Sequence, residues 1–183
     1  MKRILPLIIL IILSSHAFAE SFKLGSKELS LGLGLDNNVY GGSYTSSFPP
    51  ISVMYDYGFK DQYGPGVISL GGIAGYTSIK TERITLTGTA GEKYTVFILG
   101  FRSAYHMQFV PNLDTYGGLG LYYKKPSVSY FGQTTVPRPV LDADLDLALI
   151  IGAKYYFNNK MAGLAELGIN TLSVLTIGVV FKL

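Results

Sequence analysis

Between Asp142 and Phe157 the chain alternates with a period of two. One parity, Ala143, Leu145, Leu147, Leu149, Ile151, Ala153, Tyr155 and Phe157, is apolar throughout. The other, Asp142, Asp144, Asp146, Ala148, Ile150, Gly152, Lys154 and Tyr156, carries the charged and small residues. Successive side chains of a strand point to opposite faces, so the pattern predicts a β-strand with one greasy face and one mixed face. Its length exceeds that of an ordinary soluble strand and suits a tilted membrane strand with a projecting end.

The pattern recurs along the chain. Leu29, Leu31, Leu33 and Leu35 alternate with Glu28, Ser30, Gly32, Gly34 and Asp36, and Val53, Tyr55, Tyr57 and Phe59 oppose Ser52, Met54, Asp56 and Gly58. A third segment, Gly66 to Lys80, sets Ile68, Leu70, Ala74 and Tyr76 against Ser69, Gly71, Gly75 and Thr77, with Val67 and Ile73 blurring the parity. The fourth sets Thr95, Phe97, Leu99, Phe101 and Tyr105 against Val96, Ile98, Gly100, Arg102, Ala104 and His106, and the fifth Leu119, Leu121 and Tyr123 against Gly118, Gly120 and Tyr122. After the Asp142 segment come Ala162 to Asn170 and Val174 to Leu183, with Ala165, Leu167 and Ile169, then Leu175, Ile177, Val179, Phe181 and Leu183, on the apolar parity.

Eight such segments predict an all-β fold, an eight-stranded antiparallel up-and-down transmembrane β-barrel. Eight is the smallest number common in closed bacterial membrane barrels, and lipid admits only helices or closed barrels because unpaired backbone groups are costly there. The connections support this. Those after odd segments include the long stretches Asn37 to Phe48, Thr81 to Glu92 and Lys125 to Leu141, expected outside the cell; Lys60 to Pro65, Val110 to Asp114 and Asn158 to Met161 are short, as periplasmic turns are. The fourth outer connection, near Asn170 to Leu172, departs from the rule by being very short. In this topology Phe59, Phe101 with Tyr105, Phe157 and Phe181 end even strands at the periplasmic interface, and Tyr76 and Tyr123 end odd strands at the outer one, forming two aromatic girdles.

The first residues change the picture of where the chain goes. Lys2 and Arg3, an apolar run from Ile4 to Leu13, and Ala17-Phe18-Ala19 before Glu20 have the order of a signal peptide, 1–19, cleaved after Ala19 and leaving one barrel domain, 20–183. The apolar run is about half the length a spanning helix needs. The sequence has 15 basic and 12 acidic side chains, and losing Lys2 and Arg3 leaves the remainder within one charge of neutral. That balance offers no electrostatic case for nucleic-acid binding. The absence of cysteine excludes disulfides, thiolate metal sites and a lipidated cysteine.

The signal peptide, the Gly/aromatic texture of Tyr116-Gly-Gly-Leu-Gly-Leu-Tyr-Tyr123, and the endings Ala165-Glu-Leu-Gly-Ile-Asn170 and Ile177-Gly-Val-Val-Phe-Lys-Leu183 together resemble the small outer-membrane β-barrel family of Gram-negative bacteria, the porin-family or OmpA-, OmpX- and OmpW-like group. The resemblance covers the whole mature chain. It implies export to the outer membrane, contact with outer-membrane lipids and lipopolysaccharide, and recognition by the barrel-assembly machinery. Members commonly end in an aromatic residue read by that machinery; here the final residue is Leu183, with Phe181 two places earlier.

Candidate chemistry is sparse. A lipid enzyme would need a histidine beside a nucleophile at the outer leaflet. Only His106 follows the leader, and the topology places it at the periplasmic end, followed by Met107 and Gln108 instead of a serine, so no catalytic site is expected. Asp142, Asp144 and Asp146 have the alternation of a calcium loop, but Leu147 stands where its glycine belongs, so no metal or other cofactor is expected. Asp56, Arg102, Lys154 and Glu166 would lie inside the barrel, with Asp144 and Asp146 toward its outer end. Buried charges persist only when paired or wetted, so this polar cluster predicts a lumen plugged by its own side chains, with Arg102 and Lys154 neutralising part of the carboxylates. The sequence thus points to a structural or surface-interaction protein. Narrow solute passage is the alternative, and a lipid-modifying enzyme a more distant one. Tyr40, Tyr44, Phe48, Arg83, Lys124, Lys125, Tyr130 and Arg138 are the residues its loops would offer an extracellular partner.

Overall fold

The computed structural model describes residues 21–37, 46–61, 64–85, 88–132 and 142–183. The expected leader, the loop residues Tyr40, Tyr44 and Arg138, and the side chain of Arg83 lie outside the described residues. Eight strands run in chain order: β1 Lys27–Gly34, β2 Ser46–Lys60, β3 Val67–Thr85, β4 Gly88–Val110, β5 Leu113–Phe131, β6 Asp144–Asn158, β7 Met161–Ile169 and β8 Leu175–Lys182. Each pairs antiparallel with its neighbour, and β1 closes on β8 from Glu28↔Lys182 to Gly34↔Thr176. Closure leaves no edge along the membrane-crossing part of the sheet.

The alternating pattern sorts the side chains as predicted. Leu31, Val53, Leu99, Leu121, Leu149 and Ile177 stand on the outer surface, while Met54, Ile98, Tyr122, Ala148, Ile150 and Val180 are buried inside. Ile73, which blurs the pattern of its segment, falls on the inner parity of β3 opposite Met54 and Gly100, and is buried. The lumen is therefore lined by a mixture of apolar and charged groups.

Two stretches expected as loops are strands. β3 and β4 pair residue for residue out to Thr85↔Gly88, and β5 follows β4 to Gly91↔Phe131, so the segments 81–85, 88–92 and 125–131 extend the sheet. Their polar side chains conceal a run of β-branched and aromatic residues, Thr81, Ile84, Thr89, Val128 and Tyr130, which favour a pleated, half-exposed surface. The result is a lopsided barrel. β3, β4 and β5 have 19, 23 and 19 residues, against 8, 9 and 8 for β1, β7 and β8. Crossing a membrane takes about 9–11 residues. Because the turns at the other end are short, the excess length rises from the outer rim.

The periplasmic end of β4 corrects one position in the aromatic girdles. Phe101 pairs with Gly72 and Leu121 in mid-wall, 80% exposed on the lipid face, because β4 continues to Val110; Phe109 is the aromatic near its end. Tyr105 lies four residues nearer the periplasmic rim, where its hydroxyl accepts a hydrogen bond from the Gly66 amide at 2.9 Å. Phe59, Phe157 and Phe181 stand near the same rim, at the ends of β2, β6 and β8. Tyr76 meets Phe48 edge-on at 5.7 Å toward the outer side, and Tyr123 pairs with Leu145 at the start of β6.

A closed barrel of this kind keeps its hydrogen-bonded ladder in cold detergent. The folded protein should migrate apart from its boiled form on gels, and identical mobility before and after boiling would contradict the architecture.

Candidate functional site

The interior is organised by one chain of alternating charges. Tyr116 on β5 donates its hydroxyl to Glu166 on β7 at 2.6 Å. Arg102 on β4 donates to the same carboxylate, Nη2 to Oε2 at 2.6 Å and Nη1 to Oε1 at 3.4 Å. Its Nε lies 3.3 Å from Asp56 Oδ1 on β2, an ion pair without hydrogen-bond alignment. Asp56 Oδ2 accepts from Lys154 Nζ on β6 at 3.2 Å, and Lys154 also donates to Glu28 Oε2 on β1 at 2.9 Å. Tyr156 completes the chain with a 2.7 Å bond to Glu28 Oε1. Six of the eight strands are tied together across the lumen.

Burial makes this pairing obligatory. Glu28, Lys154 and Arg102 are 0%, 1% and 3% exposed, and a lone charge so placed would cost several kcal/mol. Each cation here touches two carboxylates, Glu28 and Glu166 each have a tyrosine as a second donor, and Asp56 lies between both cations, which is the condition under which buried ions are tolerated. Small residues on the facing strands provide the room: a side chain at Gly152 would place its Cβ 2.4 Å from the Tyr116 ring.

The structure brings Asp56, Arg102, Lys154 and Glu166 together and leaves the other two predicted members apart. Asp146 lies higher in the barrel, paired with Lys124 at 2.7 Å, and Asp144 is exposed at the start of β6, where its carboxylate caps the Leu145 amide at 2.8 Å. Asp146 lies eight positions before Lys154 on β6, so these two acids belong to the mouth. Sequence reasoning missed Glu28, although its parity was visible, and the tyrosines. It also passed over the contacts of His106.

That histidine lies below the charged chain, 2% exposed. Its Nδ1 is 2.7 Å from Asp114 Oδ2 and its Nε2 3.1 Å from Ser69 Oγ. The serine that meets His106 thus arrives from β3 through the sheet register, which pairs Ser69 with Ala104. The order serine, histidine, aspartate is that of an acyl-transfer site. Here, however, Ser69 and Asp114 are 0% and 1% exposed, and the Phe22 ring stacks on the imidazole at 4.1 Å, leaving a substrate carbonyl no approach while Phe22 is seated.

Described segments fold in at both ends of the lumen. At the periplasmic end, residues 21–26 turn back under the barrel: Gly25 N and Gly58 O are 2.8 Å apart, Gly58 N and Ser26 O 2.9 Å, and Lys182 Nζ holds the Ser21 carbonyl at 3.0 Å. Phe22 enters the mouth, with Lys154 Nζ 5.1 Å from its ring. At the outer end, the short β7–β8 turn that departs from the long-loop rule folds inward. Leu172 is buried and would meet any Cβ placed at Gly75 at 2.8 Å. Asp36 fastens this turn, accepting from the Ser173 hydroxyl and, at 3.1 Å each, from the Val174 and Leu175 amides. Partial burial pushes the Asp36 carboxyl up, but these hydrogen bonds outweigh it and hold it below its usual value.

A closed barrel with leucines outside and paired charges inside defines an outer-membrane β-barrel protein, located in the bacterial outer membrane. The sequence matches the outer membrane protein beta-barrel domain over residues 5–179, and the chain belongs to that family. Comparison with curated proteins gives no match. Among solved structures, a de novo designed transmembrane β-barrel is similar with a TM-score of 0.55 at 16% identity, covering 90% of this chain and 100% of that one. The crystal structure of Ail, the attachment invasion locus protein of Yersinia pestis, aligns with a TM-score of 0.44 at 14% identity over 87% of this chain and 95% of that one. The backbone structure of Ail in a phospholipid bilayer nanodisc gives 0.45 at 15% identity over 87% and 99%. At these identities the designed barrel shares the fold alone.

Replacing Arg102 with leucine leaves Glu166 without a cation and Asp56 with Lys154 alone, and should cost about 3–5 kcal/mol in urea unfolding of the vesicle-inserted protein; a loss below about 1 kcal/mol would show that the chain of charges is not holding the wall. Asp36 contributes to the outer turn only while ionised, so its contribution is present above the ordinary carboxyl value of 3.8 and lost as pH falls through its lowered folded value. The Val174 and Leu175 amide resonances should therefore titrate with a midpoint below 3.8, and a midpoint at or above that value contradicts the bonding described.

Proposed function

We propose that this outer-membrane barrel is a closed, non-conducting and non-catalytic scaffold that presents a rigid sheet to the cell surroundings. The observation that carries the reading is the lopsided wall. Beyond Ser46↔Lys80 on one side and Lys124↔Asp144 on the other, β3, β4 and β5 continue as a three-stranded sheet among the described residues. Backbone that would be cheaper as a short turn is here held in register, which suits a surface that must keep its shape in water.

The projecting sheet carries mixed charge and aromatic groups. Lys80 pairs with Glu82 and lies 4.7 Å from the Phe131 ring, and the Tyr94 hydroxyl donates to Glu92 at 2.8 Å. These contacts stiffen it. Of the residues the sequence offers to a partner, Lys125 and Tyr130 stand on β5 in this sheet, Phe48 lies at the outer aromatic belt, and Lys124 is engaged by Asp146. Among the described residues β3 after Lys80 and β5 after Lys124 pair only with β4, so their other sides are where an extended partner segment has backbone groups to meet.

The interior supports the closed state: the charge chain spans the middle, Phe22 the periplasmic mouth and Leu172 the outer mouth. Solute passage would need all three cleared. Catalysis at Ser69 would need Phe22 withdrawn and space made for a substrate.

Two measurements test the proposal. Purified protein in planar bilayers should give no stable open channels, and large steady conductance would overturn the closed reading. Photocrosslinkers at Lys125 or Ser129 on intact cells should capture macromolecules from the surroundings, whereas one at Leu147, on the lipid face, should not. Equal yields from all three would remove the case for a displayed surface.

A further inference from the structure

We propose that the lipid face of β7, β8 and β1 is a binding site for one anionic phospholipid of the inner leaflet, whose acyl chain lies in a groove on the barrel wall and whose phosphate meets Lys27 and Lys160. The groove follows from register. One outward rung reads Leu31, Val179, Gly163, Tyr155, and the rung above it Leu33, Ile177, Ala165, Ala153. Large residues thus flank a floor made of Gly163, Ala165 and Ala153. The depression has a volume of about 630 Å³ and is apolar along nearly its whole lining. A second apolar depression over Ala74, among Ile51, Val53, Tyr76 and Phe97, is smaller, about 370 Å³.

Position fixes the chemistry of the occupant. The groove lies on the outward parity inside the hydrocarbon belt, where only acyl chains or another apolar surface can fill it. Charge selects between these. Lys160 precedes the floor residue Gly163 by three positions, about 10 Å along the strand, and Lys27 precedes Leu31 by four, about 13 Å. Both lysines are exposed, and both flank the end of β8: Lys182 N bonds the Lys160 carbonyl and Leu183 N the Lys27 carbonyl, each at 2.9 Å. The side-chain carboxylates of these strands, Glu28 and Glu166, are turned inside and engaged by Lys154, Tyr156, Arg102 and Tyr116. Lys27 and Lys160 thus stand at this rim beneath an apolar groove, the spacing of a phosphate and its acyl chain. The rim lies at the short-turn end, which faces the periplasm, so the lipid comes from the inner leaflet and not from lipopolysaccharide.

The test is native mass spectrometry of the full-length protein released from micelles doped with phosphatidylglycerol or phosphatidylcholine, with the boiled and unboiled gel bands confirming that each variant folds. Wild type should retain one phosphatidylglycerol in preference to phosphatidylcholine. Lys27→Gln and Lys160→Gln should each reduce that preference about fivefold. Ala153→Leu with Ala165→Leu, which fills the floor, should lower retention of both lipids. Equal retention of the two lipids by wild type, or unchanged retention in the filled variant, would overturn the proposal. A wild-type dimer that the filled variant loses would overturn it in favour of a second copy of this chain. None of these residues lies on the projecting sheet, so the outcome is independent of the surface role.

Discussion

Hydrocarbon offers the backbone no hydrogen-bond partner, and almost everything in this molecule follows from that constraint. Every amide and carbonyl of the crossing strands must be met by a neighbouring strand, so the sheet has to return on itself, and β8 pairs with β1. Closure then inverts the usual assignment of faces. The leucine parity turns outward to lipid, and the parity carrying Glu28, Asp56, Arg102, Lys154 and Glu166 is enclosed in a lumen only just wide enough for side chains.

Enclosing those charges creates a second requirement, which the lumen meets by alternation. Carboxylates and cations take turns from Glu166 to Glu28, with a tyrosine at each end, so that no ion faces the interior alone. The same links cross the lumen between strands that are distant in sequence, which makes the interior a brace as well as a filling. Phe22 and Leu172 are buried toward its two ends, and Asp36 secures the turn that carries Leu172.

Outside the membrane the constraint lifts, and the walls become unequal. β1, β7 and β8 stop near the length needed to cross, while β3, β4 and β5 continue into water with polar side chains on an intact ladder. This explains the one large misreading of the sequence, Thr81 to Glu92 and 125–131 as loops. A loop and a hydrated strand share a polar composition, and only cross-strand pairing tells them apart. Phe101 was misplaced because a girdle position depends on where its strand ends, and β4 runs on to Val110.

By itself the sequence determined the fold, because a period of two with apolar residues on one parity has a single low-energy solution in lipid. It also determined that Asp56, Arg102, Lys154 and Glu166 face one lumen, since parity is a local property of the chain. Which charge meets which was decided only by the tertiary structure. Register and barrel shear place Lys154 between Glu28 and Asp56, bring Ser69 to His106 from another strand, and separate Asp144 and Asp146 from the cluster that their parity suggested. Side-chain direction repeats every second residue, whereas the distance across a lumen depends on how all eight strands are staggered, and no single stretch of sequence carries that information.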